Sequence, residues 1–362
     1  MKARIFISLR TQFSNMGDLL INYLLLGELI EQGDVYVDAS GVPDWYLELV
    51  IDGANENVKV LSRYSFMAKM LAFLIFKPKK NDVYLMLKPG GYMAISSWKM
   101  LAIRLMQGVW LKVITFLGGT VVRAPSSQQN SSGISKVVDK FRLSNIAYQM
   151  IRDEVSVAEV NSMNLKCISS FDMASLLFTD KNEEGMFDVK IDPRLIRKSV
   201  TFSFREREGL ASFDWRAVAG LMPDLGYSCH FVSQVFGDNK FNLALSKLID
   251  CHYVEYTGSR ASISEVMGVY SGTKFIVSNR LHVLMAAASV GATPIAVISE
   301  SDVKVSSYMK VIGCRENVIY IEAMTLDRLS QVLNVASNCN LTTLGMQGDK
   351  LKKQISKVFG NA

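Results

Sequence analysis

The 362-residue sequence lacks several features that would place it in a common class of protein. Its five cysteines lie at positions 167, 229, 251, 314 and 339, without a C-x-x-C pair. Their odd number and this spacing predict a reduced, cytosolic protein without a disulfide framework. No run reaches the ~18–20 uncharged apolar residues of a membrane-spanning helix. The opening residues MKARIFISLR are too short and too soon charged for a signal peptide and instead predict a strand.

Nucleotide-binding and hydrolase motifs are absent as well. The sequence contains no G-x-x-x-x-G-K-[ST], no G-x-G-x-x-G and no G-x-S-x-G. Two Cys-His dipeptides begin at Cys229 and Cys251, in strand-like runs where adjacent side chains point to opposite faces. One site could not use both members of a pair, so we expect no metal centre. The net charge of +6 favours anionic substrates or an anionic membrane surface but is too small to indicate nucleic acid.

What the sequence does contain is a repeated alternation of strand and helix patterns. Apolar runs such as ARIFISL, SVTFSFRE and FIVSN alternate with helical patterns such as LLINYLLLGELIEQG and NLALSKLI. This alternation is typical of parallel βαβ units. The length suits two domains, and the polar segment 181–196 predicts the linker between them. We therefore expect an α/β protein with two doubly wound Rossmann-like domains, residues 1–180 and 197–362, facing across a cleft. The second would end in two amphipathic helices, and ligands would bind beyond the carboxyl ends of the strands.

The segment FIVSNRLHVL, residues 275–284, combines a buried strand with a helix start. Asn279 or Ser278 is a suitable N-cap, which would place Arg280 and His282 in the first helical turn. The amides and dipole of a helix start favour an anion, and Arg280 adds a planar fork suited to carboxylate or phosphate. His282 could move a proton near neutral pH. The alternative is a capped helix whose arginine and histidine hold a domain interface.

Two further arginines occupy the predicted ligand edge. Arg152 ends a strand, and Asp153 and Glu154 open the helix that follows. Its alternative role is a surface arginine paired with these neighbouring acids. Arg205 lies at the carboxyl end of the second domain's first strand. Both positions are candidates for substrate contacts, although for Arg152 the residues alone favour the surface ion pair.

Two glycine-containing turns provide weaker signals. The loop after the first strand carries Asn15, Gly17 and Asp18, which suit a tight turn that lets the backbone approach a ligand. The pair Gly90 and Gly91 ends another strand and predicts either a close backbone approach or only a turn.

Two apolar, aromatic stretches carry only basic charges, residues 63–80 and 98–119. Such helices can lie in a membrane interface beside anionic lipid. The alternative is helices that cover the sheet while their long basic side chains reach water. For the second stretch we favour the covering helix; the first fits either role.

Taken together, these motifs resemble the polysaccharide pyruvyl transferase family. The resemblance extends from about residue 10 to residue 300, and its most specific part is R-L-H followed by a small-residue helix and G-x-x-P. The matching positions, in chain order, are Asn15, Gly17, Asp18, Gly90, Gly91, Arg152, Asp153, Ser156, Asp172, Ser203, Arg205, Arg280, Leu281, His282, Gly291 and Pro294.

The resemblance implies a fold similar to glycosyltransferases of the B type. It also implies transfer of a pyruvyl group from phosphoenolpyruvate to two hydroxyls of a sugar, giving a ketal and free phosphate, without a further cofactor. Arg152 and Arg280 would hold the donor's carboxylate and phosphate, and His282 would protonate the methylene carbon or assist phosphate departure. Leu281, Arg205 and the two glycine-containing turns would complete the substrate site.

The acceptor and the location follow from the same resemblance. We expect a surface polysaccharide or its lipid-linked oligosaccharide precursor as acceptor, and a cytoplasmic protein with peripheral contact at the inner face of the membrane. Two rivals remain: a glycosyltransferase that uses a nucleotide-sugar on the same frame, and a non-catalytic protein that binds glycan intermediates.

Overall fold

The computed structural model describes residues 2–51, 57–76, 82–92, 95–179, 197–336 and 339–360. The chain divides into two compact units. The first comprises Met1–Thr11, Leu20–Met173 and Asp349–Ala362, and the second comprises Gln12–Leu19 and Ala174–Gly348. The predicted linker lies outside the described residues and stays a prediction. The units differ from the predicted domain ranges mainly because Gln12–Leu19 groups with the second unit and Asp349–Ala362 with the first.

The first unit is built on a parallel sheet with the order β3-β2-β1-β4-β6-β7-β8, and β5 pairs with β6. The run VYLML, residues 83–87, is continuously apolar, as expected for a parallel strand covered on both faces. The strands of this sheet are β1 Ala3–Ser8, β2 Gly33–Asp38, β3 Val58–Leu61, β4 Val83–Leu87, β5 Gly90–Tyr92, β6 Thr120–Gln128, β7 Tyr148–Ile151 and β8 Ile168–Ser169.

Helices connect these strands. They are α1 Met16–Gln32, α2 Asp44–Ile51, α3 Arg63–Phe76, α4 Trp98–Phe116, α5 Gly133–Leu143 and α6 Glu154–Ser162. Phe66 of α3 and Leu111 and Ile114 of α4 pack in one core cluster with Phe6 and Val121 of the sheet. The two basic apolar stretches therefore do cover the sheet with one face each; residues 77–80 of the first stretch lie outside the described residues.

The second unit contains a second parallel sheet, with the order β11-β10-β9-β12-β13-β14. Its strands are β9 Ser199–Ser203, β10 Ser228–Ser233, β11 His252–Glu255, β12 Thr273–Ser278, β13 Thr293–Ile298 and β14 Val318–Tyr320. Its helices are α7 Glu208–Ala211, α8 Trp215–Asp224, α9 Asn239–Leu248, α10 Arg260–Ser271, α11 Leu281–Ser289, α12 Val303–Val311 and α13 Leu326–Val335. Helix α14, Leu341–Gly360, begins in this unit and ends in the first. Trp215, 1% exposed, stacks edge-on against Phe202 in its core.

The strand order of the second sheet reverses between β9 and β12, its topological switch point. In doubly wound sheets the ligand crevice lies at the carboxyl ends of the strands at this point. Ser203 ends β9 and Ser278 ends β12. The predicted alternation of strands and helices, and with it the prediction of two doubly wound Rossmann-like sheets, is confirmed.

Two observations concern the predicted compartment. None of the helices in the described ranges combines the length and the apolar character that a membrane span requires. The expectation of a protein without disulfides is wrong, because Cys314 and Cys339 are joined by a disulfide bond across a separation of 25 residues. The two cysteines flank β14 and α13, and their proximity depends on tertiary packing that their spacing in sequence does not reveal.

Candidate active site

Two loops are clamped together at the switch point of the second sheet. Asn279 follows β12, and its side-chain Oδ1 accepts the N–H of Arg205 while its Nδ2 donates to the carbonyl of Arg205, both at 2.8 Å. Ser278 donates to the carbonyl of Ser203 at 2.5 Å. Asn279 is therefore not the N-cap that the sequence predicted. Arg280 itself occupies the N-cap position of α11, with extended backbone angles, because the asparagine side chain is used to fix the loop after β9.

Arg280 is held by a carboxylate that the sequence analysis missed. Its Nη2 donates to Asp238 Oδ1 at 2.6 Å, and its Nε contacts Oδ2 of the same residue. The two side chains are 15% and 7% exposed. This two-point pairing fixes the plane of the guanidinium, which an arginine in water would not have. Asp238 precedes α9, just beyond the carboxyl end of β10. The dipeptide Gly237-Asp238, at a helix start on the ligand edge of the sheet, is the sequence feature that could have pointed to this residue.

His282 lies against the beginning of α1. A Cβ added to Gly17 would lie 2.7 Å from both Cβ and Nδ1 of His282, a distance that real contacts essentially never show. Gly17 is thus a glycine because the backbone passes directly beside the histidine. The tight turn predicted here is confirmed, with Gly17 N–H donating to Asn15 Oδ1 at 2.9 Å. The close approach is to a side chain of the protein itself.

The loop that carries Gly17 is attached to the second unit by main-chain bonds. Asn15 forms an antiparallel bridge with Val235, which follows β10. Met16 N–H donates to the carbonyl of Gln234 at 2.9 Å. Asp18 accepts from the Asn15 amide at 3.2 Å, so both residues hold the loop in shape. The first turns of α1 and α11 therefore begin side by side. The N–H groups of the first turn of α1 are bonded within the protein, to Gln234 and Asn15.

Arg205 brings a second guanidinium to this region. Desolvation lowers its pKa, and the positive charge of nearby Arg280 lowers it further, while Asp238 acts in the opposite direction. Arginine nevertheless stays protonated at neutral pH. The three arginines Arg205, Arg207 and Arg280 outnumber the two carboxylates Asp238 and Asp302 that act on Arg205, which leaves an excess of positive charge that an anionic ligand would relieve.

The first unit contains a separate polar cluster at the carboxyl ends of β6, β7 and β8. Arg152 follows β7; its Nη1 donates to Asp172 at 2.6 Å and its Nε to Ser127 Oγ at 2.9 Å. Its side chain is only 7% exposed. The alternative of a surface arginine paired with Asp153 or Glu154 is therefore wrong, because the partner lies 20 residues further along the chain. Asp153 instead caps α6 by accepting the Ser156 N–H at 2.8 Å.

The remaining predicted residues have simpler surroundings. Gly90 adopts φ +111°, which only glycine takes without strain, and an added Cβ at Gly90 or Gly91 would meet nothing within 4 Å. These glycines form β5 beside β6. Leu281 is 7% exposed, so its side chain packs in the interior. Its predicted substrate contact finds no support in this burial.

The Cys-His dipeptides show the expected alternation of faces. The His230 and His252 rings lie 5.7 Å apart on neighbouring strands. A hydrogen bond to the Cys251 thiol raises the pKa of Cys229. In the part of the chain that the structure describes, no three His, Cys, Asp or Glu side chains are grouped as a metal would need.

Solved structures with the same fold include enzymes of nucleotide-sugar metabolism. UDP-GlcNAc 2-epimerase from Neisseria meningitidis, bound to UDP-GlcNAc, is similar with TM-score 0.58 and 11% identity, covering 99% of this chain and 100% of its own. The corresponding epimerase from Methanocaldococcus jannaschii is similar with TM-score 0.57 and 11% identity, and the match covers 99% of this chain and 100% of the epimerase. Anabaena Alr3699/HepE in complex with UDP is similar with TM-score 0.55 and 12% identity, and the match covers the whole of both chains, 100% of each. At such identities the likeness shows the fold alone, and it confirms the expected two-domain, glycosyltransferase B-like architecture.

The family is shown by sequence. No curated protein matches the chain. The model of the polysaccharide pyruvyl transferase family, however, matches residues 15–301, well over half of the sequence. The chain belongs to the polysaccharide pyruvyl transferase family, and the predicted resemblance is confirmed. The match begins at Asn15, in the loop that lies beside His282, and extends beyond Arg280.

Proposed function

We propose that this protein transfers a pyruvyl group from phosphoenolpyruvate to two hydroxyls of a sugar and releases phosphate. The observation that carries the proposal is the meeting of Gly17, Arg205, Arg280 and His282 at one end of the second sheet. These residues come from three distant parts of the sequence, and the fold brings them to the position where ligands bind in such sheets.

Anion binding is the first task of this site. Asp238 occupies the Nε and Nη2 edge of Arg280, so the Nη1 edge is the one offered to a ligand. Arg205 and the helix start of α11 add further positive potential. Phosphoenolpyruvate carries a phosphate and a carboxylate, and the family resemblance assigns these two groups to Arg280 and Arg152. Arg152 is held by Asp172 and Ser127 in its own unit, which suits a prearranged binding group.

Proton transfer is the second task. In the proposed reaction His282 gives a proton to the methylene carbon of the donor, which leaves a cationic centre at the carbon bearing the phosphate. One sugar hydroxyl attacks that carbon and loses its proton to the neutral histidine. The second hydroxyl then displaces phosphate, which leaves with the remaining proton, and the ketal is formed. A positioned acid of this kind typically accelerates a reaction by about 10²–10⁴-fold.

The proposed acceptor is a glycan of a surface polysaccharide, such as an exopolysaccharide or capsule, or its lipid-linked oligosaccharide precursor. A lipid-linked acceptor would be met at the inner face of the cytoplasmic membrane, so we include cytoplasmic location and peripheral membrane contact in the proposal. Donor chemistry needs no additional cofactor, since phosphoenolpyruvate supplies both the transferred carbon skeleton and the leaving group.

The test follows phosphate release and glycan mass with purified protein, phosphoenolpyruvate and a cell-derived pool of lipid-linked oligosaccharides. His282→Gln is compared with His252→Gln, an exposed histidine of the same unit, and Arg280→Lys with Arg216→Lys, an exposed arginine of α8. Phosphate release coupled to a pyruvyl mass gain, lost only in the two site variants, is the expected result.

A different donor would be recognised in the same experiment. If a competent acceptor pool gains no pyruvyl mass but gains a sugar when UDP- or ADP-sugars are supplied, the chain is a glycosyltransferase and the proposal fails. If neither donor is consumed and glycan nevertheless binds, the non-catalytic alternative replaces it.

A further inference from the structure

Helix α4 exposes an apolar face that the packing of the first unit does not use. Its buried residues are Gly108, Leu111 and Ile114, which face the sheet and α5. Gly108 allows this contact, because a Cβ there would lie 2.7 Å from the ring of Phe141 on α5. The opposite side carries a row of exposed apolar residues at helical spacing, here called the α4 stripe: Trp98, Ala102, Leu105, Met106, Val109, Val113 and Phe116.

The α4 stripe extends the full length of the helix. Trp98 is 77% exposed at one end, Met106 is 67% exposed near the middle, and Phe116 is 88% exposed at the other end. A helix of 19 residues is about 28 Å long. Apolar residues scattered on a surface need no explanation, but seven aligned on one face of one helix indicate a binding surface.

Neighbouring helices extend this surface. An added Cβ at Gly119 would meet Ile114 of α4 and Leu74 of α3, so the two helices lie side by side on the same face of the sheet. Tyr64 and Phe76 of α3 are 88% and 81% exposed. On the other side, α5 packs against α4 and exposes Ile134 and Val137.

The exposed charges on the described helices α3, α4 and α5 have one sign. Lys99 and Lys112 lie on opposite edges of the α4 stripe by helical position, and both are exposed. Helices α3 and α4 contain no acidic residue. The single acid of α5, Asp139, is 1% exposed and paired with Arg142. An apolar face whose exposed charges on these three helices are all positive is complementary to a surface that is both apolar and anionic.

An anionic bilayer has those two properties, whereas the same face of a second copy of this chain does not. If two α4 stripes met about a two-fold axis, the same face would be repeated on both sides, and the flanking lysines would find no acidic partners on α3, α4 or α5. In a membrane interface, by contrast, a tryptophan sits at the headgroup level and lysine side chains reach anionic lipid.

We propose that the α4 stripe, extended by α3 and α5, is a membrane-docking surface for anionic lipid, and that α4 lies in the plane of the interface. This inference concerns binding and is independent of the reaction. Only its purpose, access to a lipid-linked acceptor, rests on the proposed function. A pyruvyl-transfer assay in detergent would report on the reaction, and a lipid-binding assay without donor reports on docking alone.

The test measures co-flotation of the full chain with vesicles of phosphatidylcholine alone or with about one-third phosphatidylglycerol, together with tryptophan fluorescence. We expect binding to the anionic vesicles, a blue shift that Trp98→Phe removes, and release of the protein by about 0.5 M salt, where charge attraction is screened. Met106→Glu should weaken binding at least about tenfold, because it removes an apolar side chain that would enter the bilayer and adds a negative charge at the interface. Lys99→Gln with Lys112→Gln should weaken it about fivefold for each lysine.

The matched control is Met346→Glu, which makes the same change at a 56% exposed position of α14 in the second unit. Equal binding of the two methionine variants, or equal binding to neutral and anionic vesicles, would overturn the proposal. So would a wild-type protein that floats with neither vesicle. If light scattering shows a dimer that Met106→Glu converts to a monomer, the stripe is a self-association surface instead.

Discussion

The contact between Gly17 and His282 allows a local substitution to test the whole candidate site. In Gly17→Ala, the new methyl group would start 2.7 Å from the Cβ of His282. Carbon atoms in contact prefer about 3.5–4 Å, so a displacement of roughly 1 Å is needed. Rotation of the imidazole cannot supply it, because the Cβ is fixed to the backbone. The start of α1 or of α11 must therefore move.

Stability and activity should respond differently to this displacement. Overpacking costs about 1–3 kcal/mol, and replacing glycine by alanine in a helix returns up to about 1 kcal/mol, so the free energy of unfolding should fall by no more than about 3 kcal/mol. A reacting group misplaced by about 1 Å costs on the order of 100-fold in rate. We expect Gly17→Ala to fold and to release phosphate from phosphoenolpyruvate about 100-fold more slowly than the wild type.

Gly27→Ala is the matched control on the same helix. Gly27 is exposed, and a Cβ there meets nothing within 4 Å. This variant should keep wild-type activity and gain up to about 1 kcal/mol in stability. Thermal denaturation and the phosphate-release assay are run on both proteins, with calorimetric titration of phosphoenolpyruvate as a second readout. If Gly17→Ala is as active and as stable as Gly27→Ala, the proximity of the loop to His282 has no role in the site.

Three further predictions concern contacts in the second unit. Asp238→Asn leaves Arg280 as a mostly buried charge without its partner, so thermal denaturation should show that the free energy of unfolding falls by about 3 kcal/mol. The KM for the donor should rise, and an unaltered KM would contradict the positioning role of Asp238. Asn279→Ala removes both hydrogen bonds that clamp the loop after β9, and urea unfolding should show that the free energy of unfolding falls by about 1–3 kcal/mol. Wild-type stability would mean that these two bonds contribute nothing. Cys314→Ser opens the 25-residue loop closed by the disulfide bond and should lower the free energy of unfolding by about 3 kcal/mol relative to the oxidised wild type. A melting temperature of the wild type that reductant leaves unchanged would contradict a stabilising role of this bond.

Much of the fold could be predicted because its signals are local. Strands such as β12 and β13 are buried on both faces and therefore appear as continuous apolar runs, and Asp153 was recognisable as the start of a helix. The N-cap of α11 was misplaced by one residue for a physical reason. Asn279 is a good cap in isolation, but its side chain is engaged by the backbone of Arg205, 74 residues earlier.

The parts of the site that could not be predicted depend on distant contacts. The pairing of Asp238 with Arg280 joins residues 42 positions apart, and the sequence contains no pattern that links them. The partner of Arg152 was expected among its immediate neighbours and proved to be Asp172. The exposed face of α4 had a local signal, its helical spacing of apolar residues, but that spacing alone does not tell which of two apolar faces meets the sheet.

The attachment of Gln12–Leu19 to the second unit has a practical consequence for dissecting this protein. A fragment cut at the predicted linker would contain Arg205, Arg280 and His282, yet it would lack the main-chain partner of Val235 and the backbone that packs beside the histidine. Such a fragment would present a groove where the native chain has a helix start. Splitting this chain into functional halves therefore requires complementation by a peptide that includes residues 12–19, since the unit that carries the R-L-H turn is not a continuous stretch of sequence.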